Sequence, residues 1–169
     1  MNSARETAVA DRENLNPSCQ EFRDKVVQSF KDILDQNGFH IIHQASTSLG
    51  ARCLLVFGSE SCRLRFTYDR GGVEVHVGDS DARPTWSGAE HARRQWHPLR
   101  RAVDFVEGKG ERSLEEARQI SRTAWEISLE QYLEDQAALV RPVFREICQL
   151  FAKDAAPERR EAFELYLMK

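Results

Sequence analysis

The sequence predicts an α+β fold: an N-terminal helix, a four-stranded antiparallel meander, then a C-terminal set of three to four helices. Three observations carry this. Apolar residues recur at helical spacing from Phe22 to Ile33, alternate with polar residues from Cys62 to Val77, and return to helical spacing from Leu99 onward. Short turns rich in glycine and polar residues separate the alternating runs. At 169 residues and 41% hydrophobic composition, the chain is long enough to enclose one sizeable core.

Asn16-Pro17 opens the first helix, since asparagine caps well and proline suits the first helical position. Phe22, Val26, Phe30 and Ile33 form its apolar face, and Asn37-Gly38 stops it. Four strands are expected over 39–46, 52–58, 61–68 and 72–78. The second is a nearly continuous apolar run, as a central strand requires. The third alternates Cys62, Leu64, Phe66 and Tyr68 with Arg63, Arg65 and Thr67. Asp69-Arg70-Gly71-Gly72 makes a hairpin turn into Val73, Val75 and Val77, which alternate with Glu74 and His76. One face of this sheet is expected to pack on the first helix. The other presents Arg63, Arg65, Glu74 and His76, where cross-strand ion pairs are expected.

Residues 79–96 lack any period and read as a long loop. His97-Pro98 is expected to start a helix, and Ser113 with Glu116 forms a capping box for the next, which runs on past Tyr132. Pro142 must kink or end that helix, and Pro157 begins a last short one. The organisation is therefore a loose arm over 1–15 and a single domain over 16–169. Within that domain, 16–78 forms helix and sheet, 79–96 the loop, and 97–169 the helical part.

The net charge of −3, from 24 basic and 27 acidic side chains, is not the basic excess of a dedicated nucleic-acid binder. No apolar run approaches the length of a membrane span, and residues 1–15 do not read as a signal peptide, so a cytoplasmic protein without membrane attachment is expected. Cys19, Cys53, Cys62 and Cys148 form no C-x-x-C motif and read as small buried hydrophobes; Cys53 and Cys62, flanking a hairpin, are the pair considered for a disulfide.

No cofactor or metal site is expected. His40 and His43, three apart on a strand, point to opposite faces unless a bulge intervenes. No paired Cys/His motif occurs. Gly58-Ser59-Glu60-Ser61 sits in a hairpin turn and is not a nucleophile elbow, and Gly71-Gly72 is too short to cradle phosphates. Two constellations remain. Arg63, Arg65, Glu74 and His76 are candidates to line a pocket on the polar face of the sheet. Trp86, Arg93, Arg94, Trp96, Arg100 and Arg101 are candidates for partner binding, because arginine and tryptophan often dominate interaction surfaces.

The order helix, Asn-Gly stop, Phe39-His40-Ile41-Ile42, the strand pair from Arg63 through Tyr68-Asp69-Arg70-Gly71-Gly72-Val73-Glu74-Val75 to Gly78, and a Leu-x-x-Ala-Val helix at Leu99–Val103 resembles a group of small bacterial α+β proteins. Some of these look like immunity proteins of polymorphic toxin systems. The resemblance spans roughly residues 20 to 106 and carries over no catalytic residue. It implies a non-enzymatic protein-binding role, in the form of an immunity or antitoxin-like inhibitor whose partner is another protein; a homodimer is compatible with this. Two rival readings are a nucleic-acid-associated regulator using the Arg/Trp segment 90–101, and an enzyme with a site around Glu74 and His76.

Overall fold

The computed structural model describes residues 15–47, 52–86, 95–110 and 127–168. It is α+β, built on one antiparallel sheet of strands β1 (His40–Ser46), β2 (Arg52–Gly58), β3 (Cys62–Asp69), β4 (Gly72–Asp79) and β5 (Trp96–Pro98). They lie in the order β1-β2-β3-β4-β5. The four expected strands form the expected meander, because each connection is a short turn and each strand carries its own period-2 pattern. At the β3–β4 turn, Arg70 and Gly71 adopt φ values of 50° and 89°. These positive angles suit the two central positions of a tight hairpin turn.

The fifth strand corrects the expectation of four strands and of a loop over 79–96. Gly78 pairs with Trp96, Val77 with His97 and His76 with Pro98, so the sheet extends into what reads locally as loop. A Cβ at residue 78 would collide with the Gln95 carbonyl and the Trp96 ring, so glycine is what admits β5 at this distance. Three residues are too few to show a period, which is why the strand is silent in the sequence. The helix expected from His97-Pro98 accordingly begins at Leu99.

Helices α1 (Pro17–Ser29), α2 (Lys31–Gln36), α3 (Leu99–Val106), α4 (Leu129–Val140), α5 (Phe144–Phe151) and α6 (Pro157–Leu167) are those of the described residues. The Asn16 side chain accepts from Cys19 N at 2.9 Å, capping α1 as expected. The single first helix is interrupted at Phe30, whose φ and ψ of −100° and 10° separate α1 from α2. The helix expected to run through residue 127 is not continuous. Ser128 is extended and caps α4 through its hydroxyl, which accepts from Gln131 N at 3.1 Å. The proposed cap at Ser113 and Glu116 lies outside the described residues. At Pro142 the chain tightens into a 3₁₀ turn over Arg141–Val143 before α5, as a missing N–H requires.

All six helices contribute to one apolar layer on one face of the sheet. Cys53, Leu55, Phe57, Leu64, Phe66, Val75 and Val77 meet Phe22, Val26, Phe30, Val103, Leu133, Ile147, Phe151 and Phe163 there. A disulfide joins Cys19 of α1 to Cys53 of β2 across this layer. It replaces the pairing considered between Cys53 and Cys62. The β2–β3 register sets Cys53 opposite Tyr68, at the far end of the hairpin from Cys62. No helix among the described residues is long and apolar enough to cross a membrane.

Candidate interaction site on the second face of the sheet

The opposite face of the sheet carries a smaller apolar cluster and is mixed in chemistry. Leu54 and Val56 of β2 form a second apolar cluster with Ala82 and Trp96, against which Ile42, Ala45 and Trp86 pack. Beside them stand Arg63, Arg65 and Thr67 of β3, paired in register with Gly78, His76 and Glu74 of β4. The chain leaving β4 crosses this face as a strap, residues 80–86. Its carbonyls are held from below: Arg63 Nη1 donates to the Ala82 carbonyl at 2.6 Å and Arg65 Nη1 to the Thr85 carbonyl at 3.1 Å. Trp96 Nε1 donates to the Arg83 carbonyl at 2.9 Å, and Arg83 N donates to Gln95 Oε1 at 3.1 Å.

The two constellations found in the sequence therefore meet. The Arg65 guanidinium carbon lies 4.9 Å from the centroid of the Trp96 ring, and that of Arg52 lies 4.9 Å from the Trp86 ring. Both are cation–π distances. The expected ladder of surface ion pairs between Arg63, Arg65, Glu74 and His76 is not what forms. Among the described residues neither Arg63 nor Arg65 makes an ion pair, and each spends its bond on a backbone carbonyl. The strap, invisible to strand periodicity, supplies those acceptors.

Burial sets the electrostatics. Arg65 is only 2% exposed, and its Nε is buried without a hydrogen-bond partner. Loss of solvation pulls its pKa down to about 10, opposed by the negative charge of Glu74, so it remains a cation at neutral pH. His76 is driven down to about 3, first by burial and then by the charges of Arg65 and His97. It is neutral at physiological pH, and its Nδ1 is buried and unpartnered. Glu74 itself is exposed.

The candidate partner-binding residues divide. Trp96 is 3% exposed, so it is part of the core and cannot meet a partner as an exposed anchor. Arg101 Nη2 donates to the Tyr166 carbonyl at 3.2 Å and its guanidinium covers the Tyr166 ring, fastening α3 to α6. Arg100 is half-buried, near enough to Tyr132 to oppose the rise that burial causes in that hydroxyl's pKa. Trp86 remains half-exposed at the rim of the strap. Arg93 and Arg94 lie outside the described residues. Sequence reading missed Arg52 and Arg83: Arg52 is half-buried, stacks on Trp86 and pairs with Asp69 at 3.2 Å, and Arg83 is exposed in the strap. The signal for them was weak: one arginine at a strand start and one before a proline.

Elsewhere, a cleft of about 960 Å³ opens between α1, the β3–β4 turn and the start of α4, with Lys25, Tyr68, Arg70, Glu74 and Tyr132 on its walls. A bulge in β1 between Ile41 and His43 brings His40 and His43 to the same face of the sheet, reversing their expected alternation. Among the described residues no group of three or more His, Cys, Asp or Glu side chains converges as a metal site would. No protein-family model matches the chain, and no curated protein or solved structure shows significant similarity to it.

Proposed function

We propose that this chain is a non-enzymatic protein-binding module, an inhibitor of the immunity or antitoxin kind, that receives an acidic segment of another protein on the rim of the strap. The observation that carries this reading is that two arginines of the second face, Arg63 and Arg65, are held on backbone carbonyls with no carboxylate among the described residues bonded to either. Arg83 is exposed, while Arg52, ion-paired with Asp69 at 3.2 Å, stacks on a half-exposed Trp86. A cation held in a largely desolvated site is costly for stability alone. Its field is strengthened by the low-dielectric surroundings and projects toward an approaching acidic surface. The chain as a whole is mildly acidic, at −3, so this basicity is local.

The rival readings fit less well. A nucleic-acid strand would need Trp96 free to stack on a base, and Trp96 is enclosed. A site at Glu74 and His76 would need a histidine that titrates near neutral pH, and His76 is held neutral down to about pH 3. The cytoplasm stays the proposed location. The Cys19–Cys53 bond counts against it, because a glutathione-buffered cytosol keeps thiols reduced, and finding that bond closed in protein alkylated directly on cell lysis would overturn the location.

The test is a pair of binding titrations of the full chain, one with a fluorescently labelled glutamate-rich peptide and one with a labelled single-stranded oligonucleotide of equal length. The peptide is expected to bind, with an affinity that falls as salt rises, and Arg83→Glu with Arg52→Glu is expected to remove that binding. An oligonucleotide bound tenfold tighter than the peptide, or no peptide binding at low salt, overturns the proposal.

A further inference from the structure

Cys62 and Cys148 sit apart from the disulfide and from the strapped face. Cys62 opens β3 and Cys148 lies in α5, 86 residues away in sequence, yet their sulfurs are 2.9 Å apart in the core. Two sulfurs in ordinary nonbonded contact stay well beyond this separation, whereas a disulfide bond brings them to about 2.0 Å. Small movements of two side chains therefore separate this arrangement from a covalent bond. The two thiols differ in access. Cys62 is fully buried, whereas Cys148 is 8% exposed and lines a surface pocket of about 330 Å³ whose walls include Asn37, Ser59, Arg145 and Asp154. Arg145 is exposed at that pocket, and among the described residues it makes no ion pair.

We infer that Cys62 and Cys148 form a thiol-modification site at which a small-molecule disulfide of the glutathione class enters the pocket beside Arg145, is reduced, and leaves a second disulfide tying β3 to α5. The thiolate of Cys148 attacks one sulfur of the small disulfide. That S–S bond breaks, a mixed disulfide forms on Cys148, and the departing thiolate takes up the proton that Cys148 released. The sulfur of Cys62, losing its proton, then attacks Cys148 Sγ. The mixed disulfide breaks and a second small thiol leaves with the proton from Cys62. Two protein thiols are oxidised and one small disulfide is reduced to two thiols, so electrons and protons balance.

The order of attack follows from access and acidity. The adjacent Cys148 sulfur, and then burial, push the Cys62 thiol well above its usual range, so Cys62 is the poorer first nucleophile. Arg145 supplies a positive charge for a carboxylate of the incoming molecule. The site is independent of the strapped face and stands whether or not that face binds an acidic partner.

The test uses the full chain, fully reduced and then incubated with oxidised glutathione, quenched by alkylation under denaturing conditions and mapped by mass spectrometry. The wild type is expected to yield a Cys62–Cys148 cross-linked peptide alongside Cys19–Cys53. Cys62→Ser is expected to stop with a single glutathionyl group on Cys148, and Cys148→Ser to leave Cys62 unmodified. The inference is overturned if Cys19–Cys53 closes while Cys62 and Cys148 remain open to alkylation, or if Cys62 in Cys148→Ser takes up glutathione as fast as Cys148 in Cys62→Ser. Should either serine variant fail to fold, the wild-type peptide map decides alone.

Discussion

The guanidinium carbon of Arg65 lies 4.9 Å from the centroid of the Trp96 ring, so a full positive charge is enclosed between an indole and the strap with no carboxylate among the described residues bonded to it. Such an arrangement carries a stability cost that packing and one carbonyl bond offset only in part. Replacing the charge with an apolar side chain of similar length should remove that cost. Arg65→Met is expected to be as stable as wild type or more so, by about 1–2 kcal/mol, while weakening binding of the glutamate-rich peptide. Urea denaturation and the peptide titration read the two effects separately. A clear loss of stability would show that the carbonyl bond and the indole contact outweigh desolvation.

Acid should loosen the same face. Unfolded His76 takes up its proton near pH 6.5, whereas the folded side chain does so only near 3. Between those values the unfolded chain binds more protons, so stability rises with pH through this window and falls as pH is lowered through it. The contribution is on the order of 3 kcal/mol after allowance for solvent screening of a partly exposed ring. Comparing the urea midpoint at pH 7 and pH 4 measures it. His76→Gln is expected to flatten the dependence without abolishing it, because burial also lowers the pKa of His97.

Trp96 contributes to folding and not to recognition. Trp96→Phe keeps most of the ring but leaves the Arg83 carbonyl without its donor, and should cost about 1–2 kcal/mol. Trp96→Ala should cost about 3–5 kcal/mol through the cavity it leaves. Denaturant melts check both. A variant that kept its stability while losing partner binding would return Trp96 to the interface.

At the β3–β4 turn a non-glycine residue holds a glycine conformation. Arg70 has φ of 50°, its side chain is exposed, and among the described residues it makes no ion pair that would offset the strain. Arg70→Gly is expected to raise stability by about 1 kcal/mol, and Gly71→Ala, at φ of 89°, to lower it by a similar amount. The thermal midpoints of the two variants should move in opposite directions.

Much of the scaffold was legible from local chemistry. The β2–β3 and β3–β4 hairpins follow from period-2 runs bounded by turn residues. The caps at Asn16 and the turn at Pro142 follow from the bonding capacity of single side chains. The candidate site was legible only in pieces. Arg65 and Trp96 stood out separately, 31 positions apart, and nothing in the spacing said that one would lie on the other. The Cys19–Cys53 bond was missed for a related reason: the two cysteines sit on different elements, and only the packing of α1 across β2 brings them together.

By itself, the sequence determined the fold class, the order of the four longer strands, and which face of β3 and β4 would be apolar. Those properties depend on periods and turns a few residues long. Tertiary structure alone decided that a three-residue stretch at Trp96–Pro98 becomes a fifth strand, that residues 80–86 strap the charged face, and that Trp96 is core while Trp86 is rim. Burial is a property of what lies above a side chain. For Arg65 and Trp96 that is a segment whose own residues carry no period and are held in place by the arginines and the indole beneath them.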